Sequence, residues 1–260
     1  YIALGCMSGT SLDGIDCSLI KSDGVSYVNE ISNEYIPYSD ELQLKLHNVI
    51  LKGYLADIKV ISQLNQEYKD SINNFIKKNN LEIDLIAMHG QTVYHDQETK
   101  ISIQLFDKSI RFNTHSPIIC NFRKNDLLNG GNGAPIMPEF HRVLANQLGL
   151  KKVIFVNIGG VTNITVIDNQ KITAGDSSFG NAIVNDLIYE KTKERFDVDG
   201  SLSNNGQKID LLFNRIISDK YFLENLPKSL DRNYFHKYID NSIKDKNLND
   251  LIYEKTKERF

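Results

Sequence analysis

The first twenty residues restrict the fold more than any other stretch, because an apolar run stops at a small polar turn and then resumes. The apolar runs cover residues 2–6 and 15–20, and the turn at residues 8–14 holds three hydroxyl side chains, one carboxylate and two glycines. This alternation predicts a strand, a tight turn and a second strand. Glycine lets the backbone approach a ligand closely, and successive N–H groups beside hydroxyls favour an anion such as phosphate.

The candidate anion contacts in this turn are Ser8, Thr10 and Ser11, together with the backbone at Gly9. Asp13 is a candidate ligand for a water molecule or a Mg²⁺ ion beside the anion. An ordinary hairpin, in which glycine and aspartate serve only the turn, explains the same residues. This stretch by itself leaves both explanations open.

A second hairpin of the same kind occurs in the middle of the chain. Its elements are an apolar run at residues 153–158, a break at Gly159 and Gly160, a second run at 161–167, a short strand at 171–174 and a helix at 182–193. Two hairpins that each lead into helices predict an α/β protein of two related lobes with a cleft between them. The start of the second hairpin's helix is also expected to favour an anion.

Periodicity and turn residues predict further elements between and around the hairpins. They are helices at residues 39–50, 58–77 and 138–148, and strands at 25–38, 83–88, 101–106 and 116–122. The loop at residues 129–138 is the richest glycine and proline cluster, which indicates a crossing between domains. We therefore expect a first lobe at residues 1–134 and a second at 135–260.

Composition excludes several classes of protein. Apolar residues make up 41% and charged residues 24% of the 260 positions, as in an ordinary globular protein. The net charge of −3 and the lack of a basic run argue against nucleic acid as a partner. No apolar run reaches the roughly 18 residues of a membrane span. The three cysteines have no metal-ligand spacing, so we expect reduced thiols in a cytoplasmic protein.

The end of the chain repeats an earlier segment. The twelve residues NDLIYEKTKERF occupy positions 185–196 and again 249–260. A repeat protein would need several copies at a fixed period. A single extra copy is explained by a sequence-assembly artefact, a recombination or a recent duplication at a truncated end. The chain also opens on Tyr1 rather than Met, so its true start is expected to lie upstream.

Eight short motifs, taken in order, resemble the anhydro-N-acetylmuramic acid kinases of peptidoglycan recycling. They are SGTSLDGID at 8–16, HGQTVYH at 89–95, NFR at 121–123, NGGNGAPIMPEFH at 129–141, NIGGVTNIT at 157–165, DSSFGN at 176–181, DVDGSLSNNG at 197–206 and PKSLDRNYF at 227–235. The resemblance implies the two-lobed, ribonuclease H-like fold of actin, sugar kinases and the 70-kilodalton heat-shock chaperones, here with an incomplete second lobe. It also implies a homodimer, and ATP and Mg²⁺ as cofactors. The implied reaction opens the 1,6-anhydro ring and transfers the ATP γ-phosphoryl group, which gives N-acetylmuramic acid 6-phosphate.

The resemblance assigns the catalytic roles to Asp176 and Arg123. Asp176 matches the family's catalytic aspartate, which would take a proton from the attacking water; a helix N-cap is the alternative. Arg123 would hold sugar substituents and developing charge, and a surface ion pair is its alternative. The residue Asn121 stands where the family has aspartate, which puts any partner role of that acid in doubt.

The remaining site residues fall into two groups by their implied ligand. Those expected to bind the amino sugar are His89, Gln91, Thr92, Gly131, Gly133, Ala134 and Pro135. Those expected to face the ATP phosphates are Ser8, Gly9, Thr10, Ser11, Asp13, Gly159, Gly160 and Asn163, with Asp13 also the candidate Mg²⁺ ligand.

Two departures from the family keep a second function open. The family's DTGPGN loop reads DSSFGN here, and the bulkier Phe179 is expected to narrow the site. The family's adenosine-binding segment is also expected to be missing from a truncated chain. The alternative to an active kinase is therefore a remnant that only binds sugar or nucleotide. A carbamoyl transferase of the metalloprotease-like type is disfavoured, because His89 and His95 do not have the spacing of two ligands on one helix.

Overall fold

The computed structural model describes residues 1–9, 11–51, 57–96 and 99–238, which form mixed α/β structure in two compact units. The first unit is Tyr1–Lys151 and the second is Lys152–Phe260. The expected α/β class is therefore confirmed. The first unit continues past the expected boundary at residue 134 and includes the helix Pro138–Gln147. The repeat at 249–260 lies outside the described residues.

The first unit contains six strands and four helices within the described ranges. The strands are β1 Ile2–Ser8, β2 Gly14–Ser22, β3 Val28–Pro37, β4 Leu85–Asp96, β5 Ile101–Leu105 and β6 Ile118–Ile119, and the helices are α1 Asp40–Leu51, α2 Ile58–Asn79, α3 Lys124–Leu128 and α4 Pro138–Gln147. The sheet order is β3-β2-β1-β4-β5, with β6 beside β4. β1 runs antiparallel to β2 and parallel to β4, which makes the sheet mixed.

Helix α2 shows how the sequence builds the core of this unit. Its buried side chains, Val60, Leu64, Tyr68, Ile72 and Phe75, recur every three or four residues and form one face of the helix. They pack in one hydrophobic cluster with residues of the sheet and of α1. The carboxylate of Asp57 caps the helix by accepting the Lys59 N–H at 2.9 Å, and Asn80 ends it in the left-handed conformation.

The second unit consists of a three-stranded antiparallel sheet and two α-helices in its described part. The strands β7 Lys152–Ile158, β8 Val161–Asp168 and β9 Lys171–Phe179 pair in that order, and the helices are α5 Asn181–Thr192 and α6 Asp210–Ile217. Four short 3₁₀ segments, Val198–Gly200, Ser203–Asn205, Lys220–Leu223 and Tyr234–Tyr238, complete it. The core joins α5 and α6 to the aromatic segments.

Two strands are longer than expected, and both extensions carry candidate site residues. β4 continues through His89 to Asp96, although the predicted strand stopped at residue 88. β9 continues to Phe179, although the predicted strand stopped at residue 174. Polar residues within a strand hide its true length, because the apolar run is the signal that predicts it. The strand expected at 116–122 is reduced to Ile118–Ile119.

The Gly159–Gly160 turn caps helix α5. The carbonyl oxygen of Gly159 accepts the Asn181 N–H at 2.6 Å, and that of Gly160 accepts the N–H groups of Gly180 at 3.1 Å and Ala182 at 3.2 Å. Two N–H groups at the start of the helix are therefore already bonded to carbonyl oxygens of this turn. The anion expected at this helix start would have to rely on the remaining donors.

The close approach at Gly180 leads to a stability prediction. A Cβ atom at Gly180 would lie 2.0 Å from the Gly159 carbonyl oxygen, so Gly180→Ala forces the turn and the helix apart. We expect a loss of about 1–3 kcal/mol in the free energy of unfolding, measured by urea titration followed by circular dichroism. Gly159→Ala is the control, since its Cβ would meet its nearest neighbour at an ordinary 3.6 Å. Equal stability of the two variants would contradict the capping arrangement.

Candidate functional site

The first polar turn rests on a buried network of hydroxyl groups. Ser8 is buried, and its hydroxyl accepts hydrogen bonds from the hydroxyls of Tyr38 at 2.8 Å and Tyr68 at 3.1 Å. Burial is the main cause that raises the pKa of both tyrosines. Their hydroxyl groups therefore keep their protons and remain donors. The Ser8 side chain thus lies beneath the turn, where it supports the loop.

Gln91 connects strand β4 to the same turn. Its side-chain amide donates to the Gly9 carbonyl oxygen at 2.7 Å, and its amide oxygen lies 3.2 Å from the Tyr38 hydroxyl oxygen. Gln91 is fully buried and lies opposite Ser8 in the parallel pairing of β4 with β1. Both ends of this side chain are therefore engaged inside the protein, next to the backbone expected to face phosphate.

The exposed part of the turn carries its acidic group. The Ser11 hydroxyl donates to Asp13 Oδ1 at 2.5 Å, while the Asp13 carbonyl oxygen accepts the Tyr38 N–H at 2.9 Å. Leu12 is buried with a φ of 60°, which turns the chain sharply between these two polar residues. The candidate Thr10 lies outside the described residues.

A second carboxylate, that of Asp16, lies near Asp13. Asp16 is not among the site residues predicted from the sequence. Desolvation and, second, the negative charge of Asp13 raise the pKa of Asp16. Asp16 lies on β2, just beyond the turn. Mg²⁺ usually takes one or two carboxylates and completes its shell with phosphate oxygens and water, so Asp13, with Asp16 nearby, suits it. No group of three or more His, Cys, Asp or Glu side chains suited to a metal occurs in the part of the chain that the structure describes.

His89 and Arg123 form a direct pair in the first unit. The Arg123 Nε–H donates to His89 Nε2 at 3.1 Å, and the His89 Nδ1 atom lies 2.8 Å from the Gly90 carbonyl oxygen. Since guanidinium nitrogens only donate, Nε2 must be the unprotonated nitrogen and Nδ1 carries the hydrogen. Burial and then the charge of Arg123 lower the pKa of His89 from 6.5 to about 4. The imidazole is therefore neutral at physiological pH.

Two side chains hold the glycine-rich loop, and one of them is Arg123 of this pair. Arg123 Nη1 donates to the Gly133 carbonyl oxygen at 2.7 Å, and the Gly133 N–H donates to Asp126 Oδ2 at 2.6 Å. A Cβ atom at Gly131 would lie 2.2 Å from the same carboxylate oxygen, so a larger residue there would displace this carboxylate. Asp126 is a residue that the sequence analysis missed. The candidate residues Ala134 and Pro135 directly follow this fixed peptide.

Thr92 and His95 also lie on β4, beyond Gln91. Thr92 is buried, and its hydroxyl has no hydrogen-bond partner within the described ranges. His95 Nδ1 lies 3.0 Å from the Ser102 hydroxyl of β5. Burial, followed by the charge of Arg123, lowers the pKa of His95. The two histidines thus belong to one strand and both experience the charge of Arg123.

In the second unit Asp176 lies on strand β9 at an irregularity of the sheet. Asn163 of β8 is opposite Asp176, whereas Thr162 is opposite Ser178, so Ser177 is the extra residue of a β-bulge. The next strand places Asn157 opposite Asn163. Directly opposed residues share a face of an antiparallel sheet, so these two amides and the Asp176 carboxylate form one polar row.

Two expectations about the Asp176 loop change with the structure. The residue that precedes helix α5 as its N-cap is Gly180, so Asp176 does not cap that helix. The Phe179 ring is buried in the core 5.2 Å from the Phe235 ring, so it does not narrow the site as expected from its bulk. An aromatic side chain at this position instead contributes to the core of the second unit.

Comparison with known proteins identifies the family. A model of the family described as anhydro-N-acetylmuramic acid kinase matches residues 1–254. The chain belongs to the anhydro-N-acetylmuramic acid kinase family. This confirms the family and the enzyme class that the motifs indicated.

Three relatives named anhydro-N-acetylmuramic acid kinase illustrate the extent of the similarity. The Bradyrhizobium diazoefficiens protein is 35% identical over 90% of this chain and 68% of its own length. The Pelagibacter ubique protein is 34% identical over 84% and 62%, and the Methylobacterium nodulans protein 36% over 90% and 69%. The chain thus spans about two thirds of the length of these kinases.

Among the described residues, no helix has the length and apolarity to cross a membrane.

The pair formed by His89 and Arg123 predicts a pH dependence for this family member. The pKa of His89 in the folded chain is about 4, below the ordinary 6.5. Between pH 4 and 6.5 the unfolded chain therefore binds more protons than the folded one. The free energy of unfolding should fall as the pH drops from 6.5 to 4. In Arg123→Gln the pKa of His89 should rise without reaching 6.5, because burial remains. The pKa of His89 in each variant is measured by nuclear magnetic resonance titration. The control Arg142→Gln breaks an exposed ion pair with Glu139 and should leave the pKa of His89 unchanged; an unchanged pKa in Arg123→Gln would contradict the pairing.

Gln91 provides a test between the expected sugar contact and the observed loop contact. In Gln91→Glu the amide donor is lost and a carboxylate faces the Gly9 carbonyl oxygen, so the first turn should shift. We expect the KM for ATP to rise about tenfold or more, while the KM for the amino sugar changes less than about twofold. Gln66→Glu, on an exposed part of α2, adds the same charge as a control. A rise confined to the KM for the sugar would show instead that Gln91 faces the sugar.

Proposed function

We propose that this chain is an ATP-dependent kinase that opens 1,6-anhydro-N-acetylmuramic acid and phosphorylates it to N-acetylmuramic acid 6-phosphate. The observation that carries the proposal is the carboxylate of Asp176, which lies partly exposed at a β-bulge in the motif order of a kinase family. A bulge is a common way to aim a side chain out of the regular pattern of a sheet at a functional site.

Asp176 is the proposed general base of the ring-opening step. Its carboxylate takes a proton from a water molecule whose oxygen forms a bond to the anomeric carbon of the sugar. The bond between that carbon and the bridging oxygen breaks, and the electron pair stays on the oxygen. This oxygen then attacks the γ-phosphorus of ATP, and the bond to ADP breaks. General-base assistance of this kind typically contributes on the order of 10²- to 10⁴-fold in rate.

The first unit supplies the proposed sugar contacts. The neutral imidazole of His89 and the guanidinium of Arg123 are held in a fixed relation, and Arg123 also fixes Gly133 of the glycine-rich loop. A positive charge whose position is set before the reaction stabilises negative charge that develops in the transition state without further reorganisation. The buried hydroxyl of Thr92 is the further group suited to a sugar hydroxyl.

The two hairpin turns are the proposed contacts of the ATP phosphates. The first is the turn with Ser11 and Asp13, and the second is the turn at Gly159 and Gly160 with Asn163. When bound, Mg²⁺ would neutralise phosphate charge, and Asp13 with Asp16 nearby fits its preference for carboxylate oxygen. The antiparallel order β7-β8-β9 repeats the arrangement of β1, β2 and β3, which supports two related lobes of the actin and sugar-kinase type.

Asp176→Asn tests the proposal through ADP release. The purified chain is supplied with Mg-ATP and 1,6-anhydro-N-acetylmuramic acid, and sugar-dependent ADP formation is followed in a coupled assay. We expect Asp176→Asn to lose about 10²-fold or more in kcat with a small change in KM, because the amide cannot accept the proton. The control Asp168→Asn removes an exposed carboxylate of β8 that pairs with Lys152, and it should retain kcat.

Two results would contradict the proposal. Full activity of Asp176→Asn would exclude Asp176 as the base. A folded chain that binds the sugar and ATP by calorimetry without releasing ADP would instead be the remnant that binds ligands only.

A further inference from the structure

We infer that Tyr221 and the backbone of residues 228–230 are positioning elements for the Asp176 carboxylate. This inference rests on the proposed role of Asp176 as the general base. It goes beyond that role by assigning a purpose to a part of the second unit that follows Asp176 by about fifty residues. None of these groups would contact the reacting atoms; each acts through Asp176.

Three hydrogen bonds hold Asp176 from this one side. The Leu230 N–H donates to Asp176 Oδ2 at 2.8 Å, and the Asp176 N–H donates to the Lys228 carbonyl oxygen at 2.8 Å. The Tyr221 hydroxyl donates to the Asp176 carbonyl oxygen at 2.8 Å. The amide, the carbonyl and the carboxylate of one residue are thus all bonded to groups that come from outside its own sheet.

The position of Asp176 on an edge strand explains why these bonds matter. β9 is at the end of the sheet order β7-β8-β9, so its outer N–H and C=O groups face away from β8. At an exposed edge such groups would bond to water and the strand could move. Here Lys228 and Tyr221 take the two backbone groups of Asp176, and the edge is fixed at the residue that carries the chemistry.

Gly175 makes room for this arrangement. A Cβ atom at Gly175 would lie 2.6 Å from the Lys228 carbonyl oxygen and 2.9 Å from the Lys228 nitrogen, both of which are backbone atoms that cannot rotate away. Any larger residue at position 175 would push the segment off β9. The glycine that precedes the proposed base is therefore required by the segment that holds the base.

Tyr221 is itself fixed by its surroundings. It is buried, its N–H donates to Asp219 Oδ1 at 2.8 Å, and its ring contacts the Phe235 ring edge-on at 6.1 Å. The Lys228 ammonium donates to the Tyr221 carbonyl oxygen at 2.6 Å and lies 4.2 Å from the ring centroid. Burial and then the charge of Asp176 raise the pKa of Tyr221, so its hydroxyl keeps the proton that it donates.

Positioning of this kind changes the rate of a chemical step without changing the affinity for substrate. A base must lie within hydrogen-bond reach of the proton it accepts, and a displacement of about 1 Å can cost as much as 10²-fold in rate. A loss of one of the three bonds should therefore lower kcat and leave KM nearly constant.

Tyr221→Phe tests the inference, with Tyr189→Phe as the control. Both changes remove one tyrosine hydroxyl from the second unit, but Tyr189 is exposed on α5, where Lys193 lies over its ring, and it is not among the residues that hold Asp176. We expect kcat to fall about five- to fiftyfold in Tyr221→Phe, with each KM within about twofold of the parent value, and to stay within about twofold in Tyr189→Phe. Equal kcat values in the two variants, at comparable melting temperature, would overturn the inference.

A second measurement does not depend on turnover. Hydrogen exchange at the Leu230 amide reports the bond to Asp176 Oδ2, and it should accelerate in Asp176→Ala and, more weakly, in Tyr221→Phe, but not in Tyr189→Phe. Unchanged exchange in Tyr221→Phe would overturn the inference even if the kcat values differ. Full activity of Asp176→Asn, in contrast, would exclude the proposed role of Asp176 as the base, while the exchange result still decides whether the segment holds Asp176.

Discussion

The pairing of β1 with β4 is the constraint on which the first unit's site depends. β1 is bonded on one edge to β2 and on the other to the parallel strand β4, which brings Ser8 opposite Gln91. This pairing places the end of the first hairpin strand beside the strand that carries His89. Without it, the turn expected to face phosphate and the histidine expected to face the sugar would belong to unconnected parts of the sheet.

Polar side chains packed against the loops restrict the position of the loop backbone at this site. A buried amide or hydroxyl without a partner is costly, so each such group restricts its neighbours to the few positions that satisfy it. Gln91 restricts the Gly9 backbone in this way. Asp126 is exposed, and it fixes the Gly133 backbone by accepting its N–H. In the second unit Leu230 and Tyr221 do the same for Asp176. Contacts with the rest of each unit therefore fix the backbone of these loops.

Much of this fold could be predicted from local patterns, while the site could be predicted only in its chemistry. The helix at 58–77 and both hairpins follow from periodicity and turn residues, and they occur as α2, β1–β2 and β7–β8. The extension of β9 to Asp176 could not be predicted, because polar residues interrupt the apolar run. Asp126 and Tyr221 carry no local signal at all, since their partners are 7 and 45 residues away along the chain.

The roles of individual side chains show the same limit. A motif identifies which residues matter, but it does not say whether a side chain faces the ligand or the interior. Ser8 and Gln91 belong to motifs expected to bind ligands, and the structure directs both side chains into a buried network. Phe179 was expected to crowd the site, and it packs in the core instead. These differences arise from tertiary contacts that no short sequence window contains.

The mass of the phosphorylated product tests the central claim most directly. The account predicts that 1,6-anhydro-N-acetylmuramic acid gains one water and one phosphoryl group in a single product, and that one oxygen comes from the solvent when the reaction is run in ¹⁸O-labelled water and the product is trapped at once. A product that gains only the phosphoryl group, with the anhydro ring intact, would contradict the coupling of ring opening to phosphoryl transfer. So would ADP formation without any change in the sugar.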